Sequence, residues 1–282
     1  MNREFFFTLL LFVNAIVFMG CETGTRQRLN CICLIDYSGS LTEKTLERYI
    51  QIISSDILKQ LSEKDRLIVL PIDEGAKTEA FKIVYEDFAE KKFSFPSDGY
   101  AHAKDSTEKR IHQYADSTSP KIASELIVQK ELRNKFTYLT DIFSALEQTG
   151  TLIERNEEDS FWRSLGRFLT GKKRVESTNI IVIFSDMIQE SNECSFAMPE
   201  GYSAKESIRI IKDLRSHNLI PDLRDCKVFV NGRTGKSNLQ VEYIRNFWIH
   251  YFKETQAELS GYEYDAGKQI TSFLSQRQAI IK

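Results

Sequence analysis

A chain of 282 residues with 41% hydrophobic side chains can bury a full core, which excludes a disordered or fibrous protein. Its 38 Lys plus Arg stand against 40 Asp plus Glu, a net charge of −2, so there is no uniform basic field to hold nucleic acid by its phosphates. Five Cys are too few for a disulfide scaffold, and four His without helical zinc-site spacing exclude a zinc protease.

In chain order, the N-terminus differs in kind from the rest. Residues 5–19 form an apolar run broken only by Thr8 and Asn14, preceded by Arg3 and followed by Gly20-Cys21. As a helix the run rises only about 22 Å, short of the roughly 30 Å hydrocarbon core, so residues 1–20 read as a cleaved signal rather than a span. Phe18-Met19-Gly20-Cys21 resembles the lipobox of bacterial lipoproteins, with Phe18 where Leu is usual. The resemblance implies cleavage before Cys21 and lipidation of Cys21. Residues 21–28 then form a short tether, and the protein sits in the bacterial cell envelope, lipid-anchored to a membrane, with the leaflet left open.

Residues 29–36 are nearly continuously apolar, as in a strand buried on both faces, and 41–61 carries Leu41, Leu46, Tyr49, Ile50, Ile53, Ile57 and Leu58 at helical spacing. Short strands are expected at 66–72 and 80–88, joined as a hairpin across Asp73-Glu74-Gly75. A helix near 121–135 follows, and another starts near Asp141. Then come a strand at 179–186, a helix at 204–215, a strand at 226–231 and a long helix at 238–259. Polar stretches near 97–120 and 155–178 read as insertions into one domain over 29–282. Strands alternating with helices predict an α/β fold. Its central sheet is mainly parallel with one antiparallel edge strand, and helices cover both faces.

In such sheets ligands sit at the carboxyl ends of the strands. The first strand ends in Asp36-Tyr37-Ser38-Gly39-Ser40, one carboxylate and two hydroxyls on alternate positions of a turn. A second loop holds Thr140-Asp141, and a third holds Ser185-Asp186. Hard divalent cations take oxygen ligands of this kind and keep several waters. Each residue alone is a common turn or cap type: Ser40 and Thr140 would serve as helix N-caps, and Asp186 as a strand-end residue.

Together these residues resemble the von Willebrand factor type A (VWA) domain, whose metal-ion-dependent adhesion site reads Asp-x-Ser-x-Ser, then a Thr, then an Asp. The resemblance spans roughly 29–264 and implies a Rossmann-like VWA fold. It assigns Asp36 as the first-loop carboxylate and Ser38 and Ser40 as direct ligands. Thr140 becomes the second-loop ligand, with Thr137 as the fallback, and Asp186 a carboxylate acting through water. The cofactor it implies is Mg²⁺, or Mn²⁺ or Ca²⁺, and the partner is a protein presenting an Asp or Glu. Two departures stand out: Ser185-Asp186-Met187 replaces Thr-Asp-Gly, and the gap from Asp36 to Thr140 is long.

The function expected is a membrane-anchored, non-enzymatic adhesion or assembly module. A metal-dependent phosphohydrolase with Asp36 as nucleophile lacks its second acid, because Ser38 stands there; a structural lipoprotein with a lapsed site is the other alternative. Gly232-Arg-Thr-Gly-Lys-Ser237 lacks the first Gly of a phosphate-binding loop, since Val230 occupies it. Cys31 and Cys33 read as core thiols, and whether Cys194 and Cys226 pair stays open. The four His read as surface residues, and Phe247, Trp248 and Phe252 as core. In the second insertion Phe161, Trp162, Leu165, Phe168 and Leu169 precede Lys172, Lys173 and Arg174, a composition suited either to a membrane interface or to the domain core.

Overall fold

The computed structural model describes residues 26–73, 82–93, 103–133, 139–155, 175–191, 195–196, 203–232, 237–263 and 267–281. The signal, Cys21, Thr137, Cys194, His102 and the apolar-basic stretch 161–174 lie outside these residues. The chain divides into two units, Met1–Gln27 with Asn156–Glu176 and Arg28–Arg155 with Ser177–Lys282. Of the first, only the outer ends of two strands fall among the described residues; the fold below is that of the second.

Six strands form one sheet: β1 (Arg26–Asp36), β2 (Arg66–Ile72), β3 (Val84–Asp87), β4 (Val175–Phe184), β5 (Cys226–Asn231) and β6 (Glu258–Glu263). Their order across the sheet is β3-β2-β1-β4-β5-β6. β1 pairs with β2, β4 with β5 and β5 with β6 in parallel, while β3 runs antiparallel at the edge, Arg66 opposite Asp87 and Val69 opposite Val84. This is the doubly wound, Rossmann-like α/β arrangement expected, with its switch point between β1 and β4.

Period-two alternation sends each strand's side chains into two cores. Cys31, Cys33 and Ile35 of β1, Val69 of β2 and Val182 of β4 face one side. There they meet α1 (Glu43–Gln51), α2 (Ala103–Arg133) and α6 (Gly267–Ile281), which contribute Leu46, Ile111, Leu126, Ile270 and Leu274. Ile32, Leu34, Ile68, Ile181 and Val228 face the other side. They meet α3 (Ile142–Leu152), α4 (Ala204–Ser216) and α5 (Asn238–Glu254), where Phe247, Trp248 and Phe252 are fully buried as expected. Of the described His, His112, His217 and His250 are exposed.

Four expectations are corrected. The expected helix over 41–61 is α only over Glu43–Gln51 and continues as a π-helical segment (Ile52–Ile57) and a 3₁₀ turn (Leu58–Gln60). Most of the supposed insertion at 97–120 belongs to α2, which runs 31 residues with Pro120 inside it and turns only a thin stripe (Ile111, Ala115, Ile122, Leu126) to the core. The long helix expected to reach 259 stops at Glu254, because Gln256 takes a positive φ of 63° and the chain turns into β6 and then α6. Lastly, β4 starts at Val175, inside the supposed second insertion.

Candidate metal centre

β1 and β4 flank the switch point and end in Asp36 and Ser185-Asp186. Asp36 is wholly buried, its Oδ1 accepting the Ser38 amide at 2.7 Å and its Oδ2 the Ser185 hydroxyl at 2.7 Å. The first of these bonds closes the tight turn that lifts Ser38 and Ser40 above Asp36. Their hydroxyls lie 2.8 Å apart, Ser38 half-buried and Ser40 exposed. Ser40 is not a helix cap. The N-cap of α1 is Thr42, whose side chain accepts from the Thr45 amide.

The third loop is held from three sides. Ser185 Oγ accepts the Met187 amide at 3.0 Å, Asp186 Oδ1 accepts the Ile188 amide at 3.0 Å, and the Trp248 indole N–H donates to the Met187 carbonyl at 3.0 Å. Met187 has φ 65°, a left-handed backbone that a side chain rarely adopts. The resembled pattern has glycine here. In this chain burial of the Met187 side chain and the three bonds hold the conformation without it.

Thr140 and Asp141 form the second loop, both buried. The cap of α3 is Asp141, which accepts from the Ser144 amide and hydroxyl, so Thr140 is not the cap either. The Glu190 amide donates to the Thr140 carbonyl at 2.8 Å, tying this loop to the third. The structure thus brings Asp36, Ser38, Ser40 and Asp186 into one connected group, with Thr140 on a loop bonded to the same β4 extension.

The group is electrostatically strained. Burial first, then the neighbouring Asp186 charge, push the Asp36 carboxyl up to about 7. Burial, and secondarily Glu190, also raise Asp186, against hydrogen bonds from the Ile188 amide and the Ser40 hydroxyl. Among the described residues no Lys, Arg or His forms an ion pair with either carboxylate, so the two buried acids share a crevice without a cationic side chain from those residues. The same residues contain no cluster of three or more His, Cys, Asp or Glu. A cation here would therefore be held by a carboxylate pair and hydroxyls. An all-oxygen set of this kind suits Mg²⁺, Mn²⁺ or Ca²⁺ and not zinc.

No protein-family model matches the chain, and no curated protein matches it. Among solved structures it is similar to the TFIIH p34 N-terminal domain, at 10% identity over 90% of this chain and 98% of that one, TM-score 0.32. It is also similar to the human COPII-coat protein Sec24c, at 7% identity over 90% of this chain and 32% of that one, TM-score 0.31.

Sequence reading missed three participants. Ser185, which the sequence places on the third loop without a role of its own, supplies the hydroxyl that bonds Asp36. Gln189 and Glu190 stand in a polar loop without a diagnostic spacing, and their roles exist only through contacts across the chain to Asp141, Ile142 and Thr140. Cys226 is a buried free thiol, pushed up to about 12 by burial.

Proposed function

We propose that this chain is a VWA-type binding module of a bacterial envelope lipoprotein, held to the membrane through Cys21. In this reading it carries a divalent cation, Mg²⁺ or else Mn²⁺ or Ca²⁺, between Asp36, Ser38, Ser40, Thr140 and Asp186. The observation that carries the proposal is the pair of buried carboxylates at the β1/β4 switch point, paired with no Lys, Arg or His among the described residues and accompanied by serine hydroxyls that no helix cap employs.

When bound, such an ion supplies a positive centre with coordination positions left over for an outside oxygen. The chain does the rest. Asp36 is locked by two hydrogen bonds at the floor, Ser38 and Ser40 bring neutral oxygens to the exposed side, and Asp186 closes the crevice from β4. A shell rich in neutral hydroxyls leaves a carboxylate of a partner protein, an Asp or Glu, as the favoured incoming group. Asp36, buried with both oxygens occupied, has the setting of a ligand and not of an exposed nucleophile, which supports binding over phosphate-ester hydrolysis.

The test is capture from envelope extracts with the full chain. The reading expects a partner retained in millimolar Mg²⁺, released by chelator and not retained by Asp36→Asn; retention indifferent to chelator contradicts it. For the anchor, metabolic labelling with a fatty-acid analogue is expected to mark the wild type and miss Cys21→Ser. Equal labelling of both, or of neither, removes the anchor.

A further inference from the structure

We infer that Gln189 is a positioning residue of this centre, the side chain that fixes the second ligand loop to the third; the inference rests on the metal-binding reading above. Gln189 is fully buried. Its Oε1 accepts the Ile142 amide at 2.7 Å and its Nε2 donates to Asp141 Oδ1 at 3.2 Å. The backbone N–H of Ile142 can only donate, so the amide orientation is forced: oxygen toward Ile142, NH₂ toward the carboxylate. One residue on, the Glu190 amide bonds the Thr140 carbonyl, and the Gln189 carbonyl itself accepts the Phe196 amide at 2.7 Å.

Gln189 thus spans the start of α3 and the loop leaving β4, three residues after Asp186 and opposite Asp141, the neighbour of Thr140. Two hydrogen bonds from one buried side chain, with the adjacent backbone bond, set where Thr140 stands relative to Asp186. Ligands held in place before the ion arrives bind it more tightly than ligands that must be ordered by it. The side chain touches no ligand atom itself and acts through the loop it holds. A glutamate at this position would face Asp141 as a second carboxylate, and a leucine would leave both the Ile142 amide and Asp141 without this partner.

The experiment is a Mn²⁺ titration, read by electron paramagnetic resonance, on the full chain in detergent at a temperature where circular dichroism shows every variant folded. Melting in excess chelator is measured alongside. The expected result is that Gln189→Leu and Gln189→Glu each weaken Mn²⁺ binding at least about tenfold. A residue that only supports the fold would lower the melting temperature and leave the dissociation constant unmoved. Wild type and Gln189→Leu binding Mn²⁺ within twofold of each other overturns the inference while the metal reading stands. Absence of Mn²⁺ binding by the wild type overturns both.

Discussion

Asp36 titrates in the sense opposite to that of most folded-state carboxylates. Its folded pKa is raised to about 7 from an ordinary 3.8, so between those values the folded chain holds a proton that the unfolded chain has released. Metal-free stability therefore falls as pH rises through that window, at about 1.4 kcal/mol per unit while the two forms differ. Asp186, raised as well, adds in the same direction, and Glu190 opposes charge on Asp186. Urea unfolding in chelator is expected to show a loss of a few kcal/mol between pH 5 and pH 8, and Asp36→Asn a much flatter profile; a wild type as stable at pH 8 as at pH 5 contradicts this. Gly232 makes a second residue-level test. It has φ 134°, and a Cβ there would lie 2.1 Å from the Tyr49 hydroxyl oxygen and 2.6 Å from the Ser185 carbonyl oxygen. Gly232→Ala is expected to cost about 2–3 kcal/mol in urea unfolding and to weaken divalent binding, because the displaced Ser185 is the donor to Asp36. Unchanged unfolding would mean that the β5 end yields freely.

At the scale of elements, α6 is joined to the far end of the sheet by one ion pair. Arg277 forks onto Asp65 with two 2.8 Å contacts, both side chains buried, and Asp65 also accepts the Leu29 and Ser62 amides at 2.8 Å. Removing one partner strands a buried charge, so Arg277→Met is expected to destabilise by about 3–5 kcal/mol in urea unfolding. A loss below about 1 kcal/mol would contradict the pairing argument. None of this was visible in sequence, since a charge pair 212 positions apart leaves no periodic trace. The strands were legible for the opposite reason: 29–36, 179–186 and 226–231 are buried on both faces and nearly continuously apolar, and β5 falls on the expected residues. The first half of α2 was hidden because its buried stripe is thin and Pro120 sits inside the helix, whereas the part after Pro120 matches the expected helix near 121–135. β6 was hidden because the helix–strand turn at Gln256 adopts positive φ without a glycine to announce it. The residues proposed as ligands were readable through spacing within each loop. What spacing could not say was that Thr42 and Asp141 do the capping, which leaves Ser40 and Thr140 without that duty.

For the whole molecule, the strand order places Asp36 and Asp186 at the point where the chain changes direction across the sheet. There the loops of β1 and β4 diverge and leave a crevice at the carboxyl ends. β1 begins at the end of the sheet opposite Asp36. The central claim is that this crevice holds a divalent cation. An ion bound only by the folded chain stabilises it by mass action, about 2.7 kcal/mol at one hundred times the dissociation constant. The direct measurement is thermal unfolding of the full chain in detergent at pH 7.5, in chelator and in millimolar Mg²⁺ or Mn²⁺, for wild type and Asp36→Asn. A melting temperature that rises with the ion in the wild type and stays fixed in Asp36→Asn is the expected result; a wild type indifferent to both ions, or an equal rise in both proteins, contradicts the account.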